Sequence, residues 1–323
     1  MDRPTAVAQM RAVVTHFAQE HAEGEGRWCV ALSGGADSLA LAAAAATVLP
    51  TTALIIDHRL QPESETVSAT AREQAMAVGC VGAEVICVDV GSAGGPEAAA
   101  RTARYRALEQ ARAGAPVLLA HTLDDQAETV LLGLGRGSGA RSIAGMRPYD
   151  PPWCRPLLGV RRELTRKACA ELGLKAWQDP HNTDRRFTRV RLRTEVLPLL
   201  EDSLGGGVAE ALARTATALR EDNDLLDGMA AEFLAELGAG LPLEGLPTAA
   251  ISPLPTALRR RVIRAWLLAG GAIGLSDKQL RATDRLVTDW RGQGAVAVPS
   301  APPRERLFAG RRQDMLLLFR EPV

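Results

Sequence analysis

An α/β architecture follows from this sequence: a parallel sheet with helices on both faces, then a smaller, mainly helical C-terminal domain. Three observations lead there. Short β-rich runs alternate with helical patterns through the first half of the chain. An apolar run from Cys29 breaks on Gly34-Gly35 and restarts as a helix. After the glycine run at 205–207 the pattern turns mainly helical. At 323 residues the chain exceeds what one core usually covers, so the expected division is 1–204 and 205–323.

Taken in order, the N-terminus reads as an amphipathic helix and lacks the basic-then-apolar order of a signal peptide. Strands are expected at Trp28–Leu32, Ala53–Asp57, Glu84–Val90 and Pro116–His121, with helices at Asp37–Leu49, Ser64–Val78, Pro96–Ala113 and Asp124–Gly133. Strands separated by helices of this length indicate βαβ units and a sheet covered on both faces. The most apolar run, Leu39–Pro50, is too short to span a bilayer and reads as a helix buried against the sheet. Beyond the glycines, Val208–Leu237 is a long helical pattern, and Gly238–Pro255 reads as a loop. Thr256–Leu268 and Asp277–Arg291 are two more helices, and Ala295–Val298 with Met315–Phe319 reads as a small strand pair.

Ligands of parallel sheets bind at the carboxyl ends of the strands. Three expected strands end there in chemically suggestive residues: Ser33, Asp57-His58 and His121. The loop Ser33-Gly34-Gly35-Ala36-Asp37-Ser38 is built to hold phosphate, because glycines allow close backbone approach and helix-start amides point at the anion. Asp37 would repel phosphates unless a divalent cation sits between them, so the loop implies ATP with Mg²⁺, Asp37 being the metal-side carboxylate. No GxxxxGK[ST] motif occurs, which excludes a Walker loop. His121, Asp125 and Glu128 lie four and three residues apart on one helical face, with Asp124 beside them. Gly133–Ala140 formally fits GxGxxA but follows a helix, so it reads as a glycine-rich loop.

Formal net charge is zero, yet Arg155 to Arg193 holds eleven Lys/Arg against four Asp/Glu. A balanced protein can bind a polyanion through one such segment. Arg185, Arg186, Arg189, Arg191 and Arg193 are therefore read as phosphate contacts, Arg189 and Arg193 sharing one side of a helix. The five cysteines are scattered without a CxxC pair, which points to free thiols, a reducing cytoplasm, and neither a zinc nor an iron–sulfur site.

The SGGADS loop resembles the PP-loop of ATP pyrophosphatases, of the adenine nucleotide alpha hydrolase-like fold. Further blocks follow in the order seen in tRNA(Ile)-lysidine synthetases: Ala99–Glu109, His121–Met146, Arg155–Leu158 and Trp177–Pro198. The resemblance is dense over 28–200 and diffuse in the C-terminal third, whose length matches the family's short form. One departure stands out: the family usually has Arg-Asn-x-Ile-Arg where this chain has Arg189-Val190-Arg191-Leu192-Arg193.

The resemblance implies ligation of lysine to C2 of the wobble cytidine in a tRNA(Ile) with a CAU anticodon, ATP going to AMP and pyrophosphate. An AMP-activated cytidine would be attacked by the lysine ε-amine. Arg101 and Arg104, three apart on one helix, are candidates to stabilise charge on phosphorus. His121, Asp125 and Glu128 are candidates to take the amine's proton or hold the substrate's ammonium groups. Asp57 and His58 fall where adenosine commonly rests, and Trp177 reads as packing. The C-terminal domain is expected to grip tRNA, its cluster Arg259–Arg261 and Arg264 serving equally as a surface for a homodimer. Two rivals remain: a tRNA thiolase, with Cys154 and Cys169 as its nucleophiles, and a non-catalytic nucleotide-binding module.

Overall fold

The computed structural model describes residues 4–59, 63–91, 95–137, 139–238, 245–301 and 305–322. Ala6–His21 forms helix α1, its start capped by the Thr5 hydroxyl, which accepts the Ala8 amide at 3.2 Å. Its Met10, Val14 and Phe17 are spaced for one helical face and are buried. The alternation then runs β1 (Trp28–Ala31), α2 (Ala36–Ala46), β2 (Thr51–Asp57), α3 (Ser64–Ala77), β3 (Gly82–Cys87), α4 (Pro96–Ala111), β4 (Val117–Leu118) and α5 (Leu123–Gly135). After a one-turn helix α6 (Ala140–Ile143) come the hairpin strands β5 (Tyr149–Asp150) and β6 (Trp153–Cys154), then α7 (Arg162–Glu171). A 3-10 turn at Pro180–Thr183 precedes α8 (Thr188–Arg191), which runs through the π-helical segment Leu192–Val196 into α9 (Leu197–Ser203).

The first sheet has the order β3-β2-β1-β4-β6-β5, parallel except for the β5–β6 hairpin. The chain winds outward from β1 to β3, then returns to place β4 on the other side of β1. Strand order therefore reverses between β1 and β4, and a crevice opens at their carboxyl ends. β4 pairs over only two residues, where Pro116–His121 is expected, because its outer neighbour β6 is itself only Trp153–Cys154. The third strand likewise starts two residues and ends three residues earlier than expected, set by its register with β2, where Thr52 faces Gly82.

β1 alternates between two cores. Trp28, Val30 and the following Leu32 pack with the Leu39–Leu41 part of α2, with Met10, Val14 and Phe17 of α1, and with Ala168 and Cys169 of α7. Cys29 faces Leu54, Leu108, Val117 and Leu119 on the opposite side. Alanines fill α2 because a helix this close to the sheet has no room for longer side chains, and Ala42 and Ala45 have no exposed surface.

The chain divides into two compact units, Met1–Leu131 with Gly145–Arg214, and Leu132–Ala144 with Thr215–Val323. The division falls after Arg214, within the long helix α10 (Val208–Glu236) rather than at the glycines 205–207. In the second unit, β7 (Leu246–Pro247), α11 (Thr248–Ile251), α12 (Thr256–Ala269), α13 (Asp277–Thr288), β8 (Val296–Val298), β9 (Glu305–Arg312) and β10 (Met315–Pro322) follow in order. Its core is Leu246, Ile251, Ile263, Trp266, Leu286 and Leu316. Two expectations are corrected here. The tail is a four-stranded antiparallel sheet, β7-β10-β9-β8, and the two expected strands flank β9 instead of pairing with each other. The expected loop 238–255 contains β7 and α11; residues 239–244 of it lie outside the described residues.

Candidate active site

The loop between β1 and α2 is held by its two serines. The Ser33 amide donates to Ser38 Oγ at 3.2 Å, the two hydroxyls lie 3.2 Å apart, and Ser38 Oγ donates to the Gly35 carbonyl at 3.0 Å. Gly34 has φ +79°, a conformation that disfavours any side chain, and its carbonyl accepts the Trp177 amide at 2.9 Å. The Trp177 backbone is thus tied to the loop, and the residue is half-buried. Gly35 caps α2 without a side-chain hydrogen bond, so the first helical amides are not spent on an internal cap. That is the geometry an anion needs.

α5 starts beyond the end of β4, beside that loop, because β1 and β4 are hydrogen-bonded neighbours, with Val30 opposite Leu118. Asp125 accepts the Thr122 amide and hydroxyl, each at 2.8 Å, so it caps its own helix. Glu128, one turn on, has no exposed surface at all. Two guanidinium groups answer these acids. Arg193 donates to Glu128 through Nε at 2.7 Å and Nη2 at 3.2 Å, and reaches Asp125 at 3.3 Å. Arg162, the first residue of α7, donates to Asp125 Oδ1 at 2.6 Å and Asp37 Oδ2 at 3.2 Å, and lies 3.7 Å from Glu128. Its amide donates to Asp124 at 2.8 Å. The Thr165 hydroxyl, one turn along α7, holds the other oxygen of Asp37. Arg162 and Thr165 carry no motif in the sequence, and only the basic excess of 155–193 hints at the first; Thr122 lies within the His121–Met146 block but is not singled out by it.

The environment pushes the two carboxylates apart. Burial drives Asp125 upward, but Arg162, the two Thr122 hydrogen bonds and His121 outweigh it and leave its carboxyl below the ordinary value. For Glu128 burial wins over Arg193 and Arg162, and its carboxyl sits above the ordinary value. Asp37 is also raised, burial exceeding the help of Thr165 and Arg162. His121 is pushed down to about 4, chiefly by burial, with Arg155, Arg104 and Arg101 adding to it against Asp125. It is therefore a neutral imidazole near pH 7.

His58, at the end of β2, is lowered by burial and by Arg104. The Nδ1 atoms of both His58 and His121 are buried without a hydrogen-bond partner in the described structure. Unpaired buried nitrogens at the ends of β2 and β4, the two strands that flank β1, are suited to a ligand with its own donors and acceptors. Arg104 is half-buried between them, whereas Arg101 is exposed and stacks on Tyr105 at 4.8 Å. Asp57 is buried and accepts the Arg59 amide at 2.8 Å, so it also shapes the local turn.

The remaining arginines separate into two groups. Arg185 and Arg191 are exposed and share Glu195, and Arg186 is exposed on Asp184. Arg189 and Arg193 do share one side, but that side is turned toward Glu128, Arg189 lying 3.9 Å from it. Arg193 is thus an internal counter-charge instead of a phosphate contact, because Glu128 demands one and no other base is closer. The rest of the Gly133–Ala140 reading is also altered: Gly133 to Gly135 complete α5, Ser138 lies outside the described residues, and Gly133 abuts the Ser142 carbonyl too closely for a side chain.

Residues 6–200 match the PP-loop domain, the ATP-utilising part of the molecule, and residues 246–317 match the TilS substrate binding domain. The sequence is 70% identical over 324 residues to proteins named tRNA(Ile)-lysidine synthase from Mycobacterium bovis and Mycobacterium tuberculosis, with all of each chain covered. It is 64% identical over 327 residues to the one from Mycobacterium leprae, again end to end. The chain belongs to the tRNA(Ile)-lysidine synthases. These are ligases that form a C–N bond.

A lysidine synthase shares its fold with the U34-tRNA thiolase NcsA of Methanococcus maripaludis, solved with its [4Fe-4S] cluster. The likeness has a TM-score of 0.55 at 16% identity, over 67% of this chain and 80% of that one, and is one of fold alone. The two thiols expected to serve a thiolase are poorly placed for it. Cys154 and Cys169 are buried, and burial pushes both up to about 11, far from a thiolate at neutral pH. No helix among the described residues is long and apolar enough to cross a membrane.

Proposed function

We propose that the chain ligates lysine to C2 of the wobble cytidine of a tRNA(Ile) with a CAU anticodon, through an adenylated cytidine, releasing AMP and pyrophosphate. The observation that carries this reading is the adjacency of two sites at the β1 and β4 strand ends. One is an anion-binding loop at Ser33–Ser38; the other is the acid pair Asp125 and Glu128.

ATP fits the first. Its phosphates would lie on the α2 amides and the Ser33 and Ser38 hydroxyls, with the bases of His58 and His121 offering unpaired nitrogens nearby. Among the described residues no group of three or more His, Cys, Asp or Glu could hold a metal unaided. Mg²⁺ binds through one or two carboxylates plus phosphates; Asp37 would hold it, and it would neutralise the departing pyrophosphate. Arg104 would stabilise charge on the α-phosphorus, Arg101 standing at the rim.

Lysine fits the second. A small cavity beside Glu128 is lined by Asp124, Glu201, Arg161 and Arg193, with Leu197 and Ala209 as an apolar wall. Carboxylates for ammonium groups, guanidiniums for a carboxylate and an apolar wall for methylenes together match a dibasic amino acid. Of the two acids, Glu128 lines this cavity and, with the higher proton affinity, would take the proton that frees the ε-amine, while Asp125, outside that lining, stays ionised. The exposed Arg185, Arg186 and Arg191 would meet tRNA phosphates, since their surface ion pairs are weak and easily exchanged. In the TilS substrate binding domain the cluster Arg259–Arg261 is largely neutralised internally: Arg259 and Arg260 are on Asp284 at 2.6 and 2.8 Å, and Arg261 is on Asp227 at 2.7 Å. That leaves half-buried Arg264 for tRNA or for a second copy.

The test is nucleoside mass spectrometry of isoleucine tRNA after reaction with ATP and isotope-labelled lysine. The reading requires the label on cytidine of the CAU anticodon; ATP bound without any modified nucleoside would support the non-catalytic module.

A further inference from the structure

We propose that Arg141, Arg261 and Arg264 form a seat for a phosphate oxyanion in the second unit, and that a backbone phosphate of the tRNA fills it. This rests on tRNA as the substrate. Arg261 and Arg264 lie three residues apart on one face of α12, and Arg141 comes from α6. Arg261 reaches two residues of α10 that are four apart. It donates to Asp227 Oδ1 at 2.7 Å and to the Asn223 carbonyl at 3.3 Å, and its other terminal nitrogen donates to Asn223 Oδ1. Arg141 donates to the same Asp227 oxygen. α6 is tied to α10 by Arg220, which donates to the Ala144 carbonyl at 2.7 Å.

Three guanidiniums thus share one carboxylate. Asp227 carries two of them, and Arg264 makes no hydrogen bond or ion pair with any described residue. Burial lowers the proton affinity of Arg264, Arg141 and Arg261 add to that, and among the described residues Asp227 alone offsets them. A guanidinium keeps its charge all the same. Half-buried, unpaired and repelled by two others, this one calls for an anion. Asn223 is only 4% exposed, and its Nδ2 has no hydrogen-bond partner, so the wall of the cluster holds an unpaired donor as well. A phosphate brings both the charge and the acceptor oxygens, and guanidiniums bind it through paired N–H groups. The Arg141 side chain is 39% exposed, so the cluster opens to solvent. Arg261 and Arg264 also fall within residues 246–317, the TilS substrate binding domain, which favours a phosphate of the substrate over a free anion.

Binding of isoleucine tRNA to the full chain, measured over a series of KCl concentrations, tests this with Arg264→Gln and Arg264→Lys. Arg291→Gln, whose arginine lies on Asp289 outside the cluster, is the control. Arg264→Gln should raise the tRNA Kd about fivefold at low salt and flatten the slope of log Kd against log salt by about one, as one lost phosphate contact requires. Arg264→Lys, which keeps the charge, should retain the slope, and Arg291→Gln should match wild type. An unchanged slope in Arg264→Gln, or an equal loss in Arg291→Gln, overturns the proposal. Wild-type enzyme supplies a second arm that does not depend on how the variants fold. Saturating tRNA should protect Arg264 from phenylglyoxal, read by peptide mass spectrometry. Absence of protection overturns the proposal, and protection by sodium pyrophosphate but not by tRNA gives the seat to a free anion and overturns the RNA assignment. If wild-type enzyme does not bind isoleucine tRNA, the substrate reading fails; binding whose slope Arg264→Gln leaves unchanged refutes the seat alone.

Discussion

Glu128 shows how a buried charge obtains a function. An ionised carboxylate with no exposed surface persists only if it is paired, and here Arg193 and Arg162 do the pairing. Burial still leaves its proton affinity raised, which is what a base needs if it is to accept a proton from an ammonium near neutral pH. Glu128→Gln keeps the shape and removes the base. Lysine-dependent turnover should fall by about 10²-fold or more, while ATP binding at the Ser33–Ser38 loop is retained. Because the raised group must be ionised to act, the wild-type rate should also decline as pH drops through its range, and the Gln variant should lose that limb. A variant with wild-type rates and an unchanged pH profile would reassign the base.

The elements that build the site differ in how visible they are in the sequence. The loop and the start of α5 could be read directly, because each is one contiguous motif at the end of an apolar strand. α7 could not. Its Arg162 and Thr165 act on Asp37 across 125 and 128 residues, and only the packing of α7 on α2 brings them there. β9 was missed for a different reason: a strand expected from alternation is hidden when its run ends in Gly-Arg-Arg and its pairing partners lie on both sides. How the departure at Val190 is accommodated is legible only with the structure. Val190 is buried in α8, just before the π-helical segment, and its carbonyl accepts the Thr194 hydroxyl at 2.8 Å. An apolar side chain suits that position. Val190→Asn would bury an amide with no partner assured and should cost about 1–3 kcal/mol in urea denaturation. An unchanged midpoint would mean that the surroundings already contain partners for it.

In the molecule as a whole, charge is balanced in number and separated in role. Inside the PP-loop unit, arginines from α7 and the segment after α8 neutralise acids of α2 and α5, while the exposed arginines of 185–191 lie outward in weak pairs. In the other unit most of the evident basic cluster is likewise used internally. Zero net charge thus coexists with a local basic excess that was legible in the charge count along the chain, even though the inward turn of Arg193 was not. The whole account rests on a triphosphate lying on the serine–glycine loop with its innermost phosphorus open to attack by a cytidine oxygen. The most direct measurement follows the label of α-³²P-ATP in the presence of isoleucine tRNA and lysine. The account predicts that radioactivity appears in AMP, with pyrophosphate released and both products dependent on the tRNA. Label recovered in ADP, with inorganic phosphate as the other product, would contradict it.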